Sequence, residues 1–137
     1  MKDFLRGSFW TIIIILFMLL AEWIAPAEAM EYIATAYCPC EKCCGKWSRN
    51  RPNGIVYTAS GTRAVEGRTI AVDPKVIPLG STVRVNGKIY IAQDTGRLIK
   101  GNRIDVYFDN HKEACKFGRQ IVEVEIVHIP RQIITKR

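Results

Sequence analysis

Apolar and polar residues alternate over short stretches of this chain, and turn-forming residues separate the stretches about every 8–12 residues. The alternation predicts about seven short strands. They cover residues 31–37, 55–59, 69–72, 82–94 (a hairpin of two strands), 103–108 and 120–127. Such a series of short strands is typical of a small closed barrel or a sandwich, and periodicity alone does not choose between the two.

Turn and cap residues add detail to this pattern. Asn86-Gly87 lies between two apolar runs and is the strongest short-range hairpin signal in the chain. Asp109 or Asn110 can cap a short helix that ends at Gly118. Residues 38–53 have no usable periodicity and are predicted to be a loop.

The first 29 residues differ from the rest and are typical of an export signal. Lys2 and Arg6 form a charged start, residues 9–21 are an almost wholly apolar run, and residues 27–29 (Ala-Glu-Ala) form a cleavage site. The alternative is an uncleaved anchor in which residues 9–21 hold the protein at the membrane. The predicted organisation is therefore a signal peptide or anchor (1–29), one domain (30–127) and a C-terminal tail (128–137).

The charge of the chain is strongly basic, with 20 Lys and Arg against 13 Asp and Glu. Removing residues 1–29 takes away two basic and three acidic residues, which leaves the remaining 108 residues with a net charge of +8. A basic protein is attracted to polyanions. Because export conflicts with binding to nucleic acid, we expect the anionic cell wall to be the partner, and the location to be secreted or at the wall.

Three aspartates, Asp73, Asp94 and Asp105, lie at the end of or inside predicted strands. Aspartate is depleted in strands, so these positions need a reason. If Asp94 and Asp105 lie close together, like charge and burial would raise the pKa of one of them, and a neutral carboxyl can protonate a glycosidic oxygen. Gly96 would keep the approach open for a bulky substrate. The alternative, that they are turn or cap residues, suits Asp73 well and Asp105 poorly.

Several segments together resemble the 3D domain, a family named for its three aspartates and found in exported bacterial cell-wall proteins. They are ATAY (34–37), SGTRA (60–64), TIAVDP (69–74), IPLGSTVRV (77–85), AQDTG (92–96), IKGNRIDVYF (99–108) and VEIV (124–127). The family includes stand-alone lytic transglycosylases of spore-forming bacteria and resembles the C-terminal part of membrane-bound lytic transglycosylase A.

The resemblance implies an all-β fold, a small double-psi β-barrel with one or two short helices. It also implies cleavage of the MurNAc–GlcNAc β-1,4 bond of peptidoglycan glycan strands, with a 1,6-anhydro-muramyl product. Neither a metal nor another cofactor is needed, because the 6-hydroxyl of the sugar itself attacks the anomeric carbon.

Site residues follow from the same resemblance. Asp105 corresponds to the acid/base of the family and Asp94 to its partner carboxylate. Asp73 corresponds to the third aspartate, with a structural or substrate-binding role. Further candidates for lining the substrate groove are Thr35, Tyr37, Ser60 and Gln93.

The five cysteines, four of them within residues 38–44 and the fifth at position 115, are a separate feature. Four thiolates can complete a tetrahedral metal shell. The adjacent pair Cys43-Cys44 and the lack of a second C-x-x-C arm disfavour a metal, whereas export favours disulfides. We therefore expect a structural role with unassigned pairing, and expect His111 and His128 to be bystanders.

Two other function classes stay open. The first is a wall-glycan-binding module without catalytic activity on the same barrel, since a fold does not give an activity. Trp47, among the basic residues of the cysteine loop, would stack on a sugar in such a module, although the same composition describes an ordinary solvated loop. The second is a metal-binding or redox protein centred on residues 38–44.

Overall fold

The computed structural model describes residues 14–15, 28–49 and 54–131. The predicted export segment, residues 1–29, lies outside this part of the chain except for positions 14, 15, 28 and 29. No helix in the described part has both the length and the apolar character needed to cross a bilayer.

Six strands and two short helices make up the described fold. The strands are β1 (Met30–Tyr37), β2 (Thr69–Ala71), β3 (Thr82–Val85), β4 (Lys88–Asp94), β5 (Arg103–Tyr107) and β6 (Gln120–His128). The helices are α1 (Glu41–Cys44), which a 3-10 turn (Gly45–Arg49) follows directly, and α2 (His111–Phe117).

The strands close into a barrel in the order β1-β5-β2-β4-β3-β6. Two neighbouring pairs are parallel, β1 with β5 and β2 with β4, and the other four are antiparallel. The fold class that the resemblance implied, a small all-β double-psi barrel with short helices, is confirmed. Barrel and sandwich differ in pairings between distant segments, which periodicity along the chain does not encode.

Alternation along β5 divides its side chains between the barrel core and the outer face. On β5, Ile104 and Val106 are in the core, which also holds Ile70 of β2. Burying side chains of this size stabilises the fold by about 1.5–3 kcal/mol each. Asp105 lies between the two core residues of β5, so its side chain projects to the outer face.

The hairpin and the helix predicted from turn and cap residues are both confirmed. Asn86 (φ 45°) and Gly87 (φ 81°) join β3 to β4, and both have the positive φ that a type I′ turn requires. The Asn110 side chain accepts a hydrogen bond from the Glu113 amide at 2.9 Å and so caps α2. Gly118 ends that helix with φ 65°.

Two predictions about local structure are wrong. Residues 55–59 form only an isolated bridge, between Tyr57 and Arg63, because the chain folds back on itself through a turn. The Thr58 amide donates to the Thr62 carbonyl at 2.9 Å, and the Gly61 amide donates to the Thr58 carbonyl at 2.9 Å. Residues 38–53 are not simply a loop either, since they contain α1 and the 3-10 turn.

Candidate active site

One row of side chains crosses four strands on the outer face of the barrel. Strand register pairs Thr35 on β1 with Asp105 on β5, Asp105 with Ala71 on β2, and Ala71 with Asp94 on β4. Neighbouring strands lie about 4.8 Å apart, which puts the Cα atoms of the two aspartates about 10 Å apart. Ala71 lies between the two aspartates in this register and contributes only a methyl group there. We name Thr35, Asp105, Ala71 and Asp94 the aspartate row.

Asp105 is partly buried and has one close hydrogen-bond donor. The Thr35 hydroxyl donates to its Oδ1 at 2.8 Å. Burial raises the pKa of Asp105 to about 6, the charge of Asp94 adds to the increase, and the hydrogen bond from Thr35 opposes it. A carboxyl group with this pKa is protonated in a substantial fraction of molecules near pH 6, so it can both give and take a proton there.

Asp94 is surrounded by donors instead. The Tyr37 hydroxyl donates to Oδ2 at 2.7 Å, and the amides of Ala59 and Thr95 donate to Oδ1 at 3.0 and 2.9 Å. Both oxygens of Asp94 therefore act as acceptors. The carboxyl group is fixed in orientation from three directions, as expected of a group that stabilises charge from a constant position.

Tyr37 connects β1 to Asp94. Its ring packs edge-on against Tyr107, with ring centroids 5.4 Å apart. Burial raises the pKa of the Tyr37 hydroxyl, and the negative charge of Asp94 raises it further. The hydroxyl therefore stays protonated and remains the donor in the bond to Asp94.

Asp73 has a different environment from the aspartates of the row. It is 7% exposed, and its two oxygens accept hydrogen bonds from the amides of Lys75 (3.1 Å) and Gly101 (2.9 Å). These backbone hydrogen bonds lower the pKa of Asp73. The side chain thus ties the turn after β2 to the loop before β5.

Gln93 and Ser60, two of the predicted groove residues, belong to a polar cluster that anchors the turn at residues 58–62. The Gln93 side chain accepts from the Thr69 hydroxyl at 2.7 Å and donates to the Thr62 hydroxyl at 2.8 Å. The Ser60 amide donates to the Gln93 carbonyl at 2.9 Å. The Ala59 amide in this turn donates to Asp94. The cluster therefore fixes the turn that helps to orient Asp94.

The structure thus brings Thr35, Tyr37, Asp94 and Asp105 together, and it connects Ser60 and Gln93 to them through the anchored turn. Sequence reasoning did not single out Ala71 or the amide of Ala59. Neither has side-chain chemistry that a motif could reveal, and only strand register and backbone folding give them a place in the site.

Gly96 has a packing role that sequence reasoning did not predict. A Cβ atom built on it would lie 2.8 Å from Cγ1 of Ile99, closer than side chains tolerate. The Ile99 side chain is buried, 6% exposed. The absence of a side chain at Gly96 thus leaves space for Ile99 rather than for a ligand.

A second cluster, of sulfur and nitrogen atoms, lies where β1 leads into α1. The Sγ atoms of Cys38, Cys40 and Cys43 and a ring nitrogen of His111 all lie within 4.8 Å of one another. His111 was expected to be a bystander, and the structure instead places its Nδ1 3.4–3.6 Å from the three sulfurs. These four residues, which we name the Cys3His cluster, are suitable metal ligands.

Comparison with known proteins agrees with the predicted resemblance. The family model of the 3D domain matches residues 68–128. YabE of Bacillus subtilis, whose name associates it with cell wall shaping, is 40% identical over 106 residues, which is 74% of this chain and 23% of YabE. The cell wall-binding protein YocH of the same organism is 47% identical over 62 residues, which is 44% of this chain and 22% of YocH.

The chain therefore spans less than a quarter of the length of either relative. Among solved structures, MltA from Escherichia coli is similar with a TM-score of 0.44 and 23% identity, over 54% of this chain and 28% of that one. The resemblance inferred from the sequence motifs is confirmed by the family match. Residues 68–128 of this chain match the 3D domain family.

Proposed function

We propose that this protein is a peptidoglycan lytic transglycosylase in which Asp105 is the general acid and base. The observation that carries the proposal is the environment of Asp105. The residue lies partly buried on the outer face of the barrel, with a pKa of about 6, across Ala71 from a second, firmly held carboxyl group. A pair of carboxyl groups, one of which can donate a proton, is what most enzymes that cleave glycosidic bonds use.

In the proposed reaction the protonated Asp105 donates its proton to the oxygen that links the two sugars. The bond between that oxygen and the anomeric carbon breaks, and positive charge develops on the muramyl ring. Asp94, oriented by Tyr37 and two backbone amides, stabilises this charge. Asp105 then accepts the proton of the sugar's 6-hydroxyl while that oxygen bonds to the anomeric carbon. One bond breaks, one forms, and no water is consumed.

The groove residues have distinct roles in this proposal. Thr35 holds Asp105 by donating to one of its oxygens, which leaves the other free to face the substrate. Tyr37 orients Asp94. Ser60, Gln93 and Asp73 act by fixing the walls of the site. The acid and base steps together contribute about 10²–10⁴-fold in rate for a group of this kind.

Digestion of purified peptidoglycan, followed by mass spectrometry of the soluble products, tests the proposal. The wild-type protein is expected to release anhydro-muropeptides, and Asp105→Asn is expected to release almost none. Asp109→Asn is the matched control, because it makes the same chemical change at an exposed aspartate just beyond β5. Equal product from both variants would contradict the role of Asp105.

A second candidate function, wall-glycan binding without cleavage, is favoured by the net charge of the chain and by the name of its relative YocH. The same digestion separates the two functions. Binding without any released product, for the wild-type protein and for both variants, would support the binding module and sink the enzymatic proposal. Both functions place the protein at the cell wall, with glycan strands as its partner.

A further inference from the structure

The Cys3His cluster has the shape of a tetrahedral metal site. Zinc bonds of about 2.3 Å to sulfur and about 2.0–2.1 Å to nitrogen give tetrahedral edges of about 3.8 Å between sulfurs and about 3.5 Å between sulfur and nitrogen. The three sulfur–nitrogen distances are 3.6, 3.4 and 3.5 Å. The sulfur of Cys38 lies 3.6 Å from that of Cys43, close to the tetrahedral edge, and 3.1 Å from that of Cys40, shorter than that edge.

Two distant segments supply these ligands. Three come from the sequence C-x-C-x-x-C that starts directly after β1, and the fourth is the first residue of α2. This assembly removes both arguments against a metal that the sequence raised. His111 replaces the missing second C-x-x-C arm, and Cys44 does not belong to the ligand set, because its thiol donates to the Cys38 carbonyl at 3.2 Å.

The remaining cysteine supports the orientation of the imidazole. Cys115, one turn along α2, has its Sγ 3.3 Å from Nε2 of His111. A ligating histidine usually bonds the metal through one ring nitrogen and a neighbouring acceptor through the other. With Nε2 facing Cys115, Nδ1 is directed at the three thiols. None of the five cysteines is in a disulfide in the structure.

We propose that Cys38, Cys40, Cys43 and Nδ1 of His111 bind one zinc ion. The donor set contains sulfur and nitrogen and no carboxylate, which suits zinc better than calcium, magnesium or manganese. All four positions are filled by protein ligands, so the site is structural rather than catalytic. A disulfide between Cys38 and Cys40 does not fit as well, because their 3.1 Å separation exceeds the roughly 2.05 Å of an S–S bond.

The location of the Cys3His cluster, at the ends of β1 and β5, indicates what a bound ion would stabilise. Cys38 follows Tyr37 directly, and His111 lies shortly after the end of β5, so the ion would join the ends of β1 and β5. The last backbone bond between these ends runs from the Phe108 amide to the Tyr37 carbonyl at 2.9 Å. These two parallel strands carry Thr35, Tyr37 and Asp105. The zinc would thus hold in register the strand pair on which the aspartate row is built.

Metal analysis of the purified full chain tests the proposal independently of any enzymatic activity. We expect about one zinc ion per chain, and five titratable thiols after unfolding in the presence of a chelator. His111→Ala and Cys38→Ser are expected to lower the zinc content to less than about a tenth of an ion per chain. Cys44→Ser, which removes a thiol outside the ligand set, is expected to retain the metal.

Cobalt substitution of the wild-type protein keeps the test decisive if a ligand variant does not fold. Tetrahedral Co²⁺ with three thiolates is expected to give strong visible d–d bands and a thiolate charge-transfer band. Two results would overturn the proposal. One is a protein with disulfides that binds no zinc after reduction and exposure to the ion, and the other is equal zinc content in all three variants, which would mean adventitious binding only.

Discussion

Asp73 and Asp105 are the same residue type on the same small barrel, yet their surroundings have opposite effects on the pKa. At the turn after β2, backbone amides from two segments point at Asp73 and lower its pKa. On the outer face of β5, Asp105 loses water and gains one hydroxyl donor, and burial raises its pKa to about 6. The comparison teaches that backbone donors make an aspartate a structural tie, whereas burial with few donors raises its pKa and suits it to the proton transfer proposed for Asp105.

The largest expected effect comes from removing Asp105, the proposed general acid and base. Asp105→Asn is expected to lower the rate of anhydro-muropeptide release by about 10²–10⁴-fold, because the amide can neither give nor take the proton. Asp73→Asn is expected to retain much more of the rate when assayed at a temperature where it is folded. Initial rates on purified peptidoglycan measure both. A larger loss of rate for Asp73→Asn than for Asp105→Asn would contradict the roles proposed for the two aspartates.

Thermal stability, in contrast to activity, is expected to fall when Asp73 is substituted and not when Asp105 is substituted. Asp73→Ala is expected to lower the melting temperature, because the amides of Lys75 and Gly101 lose their acceptor. The pKa of Asp73 is lowered by folding, so its contribution to stability is present at neutral pH and is lost as the pH falls through its folded pKa. Thermal unfolding from pH 7 to pH 3 measures this, and an unchanged melting temperature at pH 7 would contradict the structural role.

Asp105→Asn, in contrast, is expected to stabilise the protein at neutral pH. Folding raises the pKa of Asp105 from 3.8 to about 6, so the ionised form is disfavoured in the native state. Its favourable contribution is therefore complete below pH 3.8 and is lost as the pH rises through about 6. The variant should gain about 3 kcal/mol in the free energy of unfolding at pH 7.5, and the gain should fall below about 1 kcal/mol at pH 4. Urea unfolding at both pH values measures the difference.

The smallest expected effect concerns the single hydrogen bond from Thr35 to Asp105. The Thr35 hydroxyl lowers the pKa of Asp105 against the effect of burial. Thr35→Val removes the donor and keeps the shape, so the pKa of Asp105 should rise above 6. The pH dependence of kcat/KM should then shift its alkaline limb to higher pH. Thr35→Ser, which retains the hydroxyl, should keep the wild-type profile, and an identical shift in both variants would contradict this reading.

Much of the fold was predictable because its signals are local. Asn86-Gly87 specifies the hairpin, and Asn110 with Gly118 specifies the limits of α2. Asp105 was identified as unusual because it lies within an apolar strand, and its pKa agrees with that identification. These features depend on neighbours a few residues away, which a sequence pattern can display.

The rest depends on contacts between distant segments. Residues 55–59 have the composition of a strand but pair only across their own turn. The approach of His111 to the cysteine loop depends on closure of β1 against β5, and no motif marks it. The place of Ala71 between two carboxyl groups likewise follows from the register of β2 with β4 and β5.

Digestion of peptidoglycan in ¹⁸O-labelled water tests most directly whether the glycosidic bond is broken by attack of the sugar's own 6-hydroxyl or by attack of water. If the 6-hydroxyl of the sugar is the nucleophile, the new muramyl ends will carry no ¹⁸O and will be lighter by one water molecule than hydrolysed ends. Labelled reducing ends would show that water is the nucleophile and would contradict the proposed mechanism. No new ends at all, from protein that is folded and bound to the wall, would contradict the enzymatic function itself.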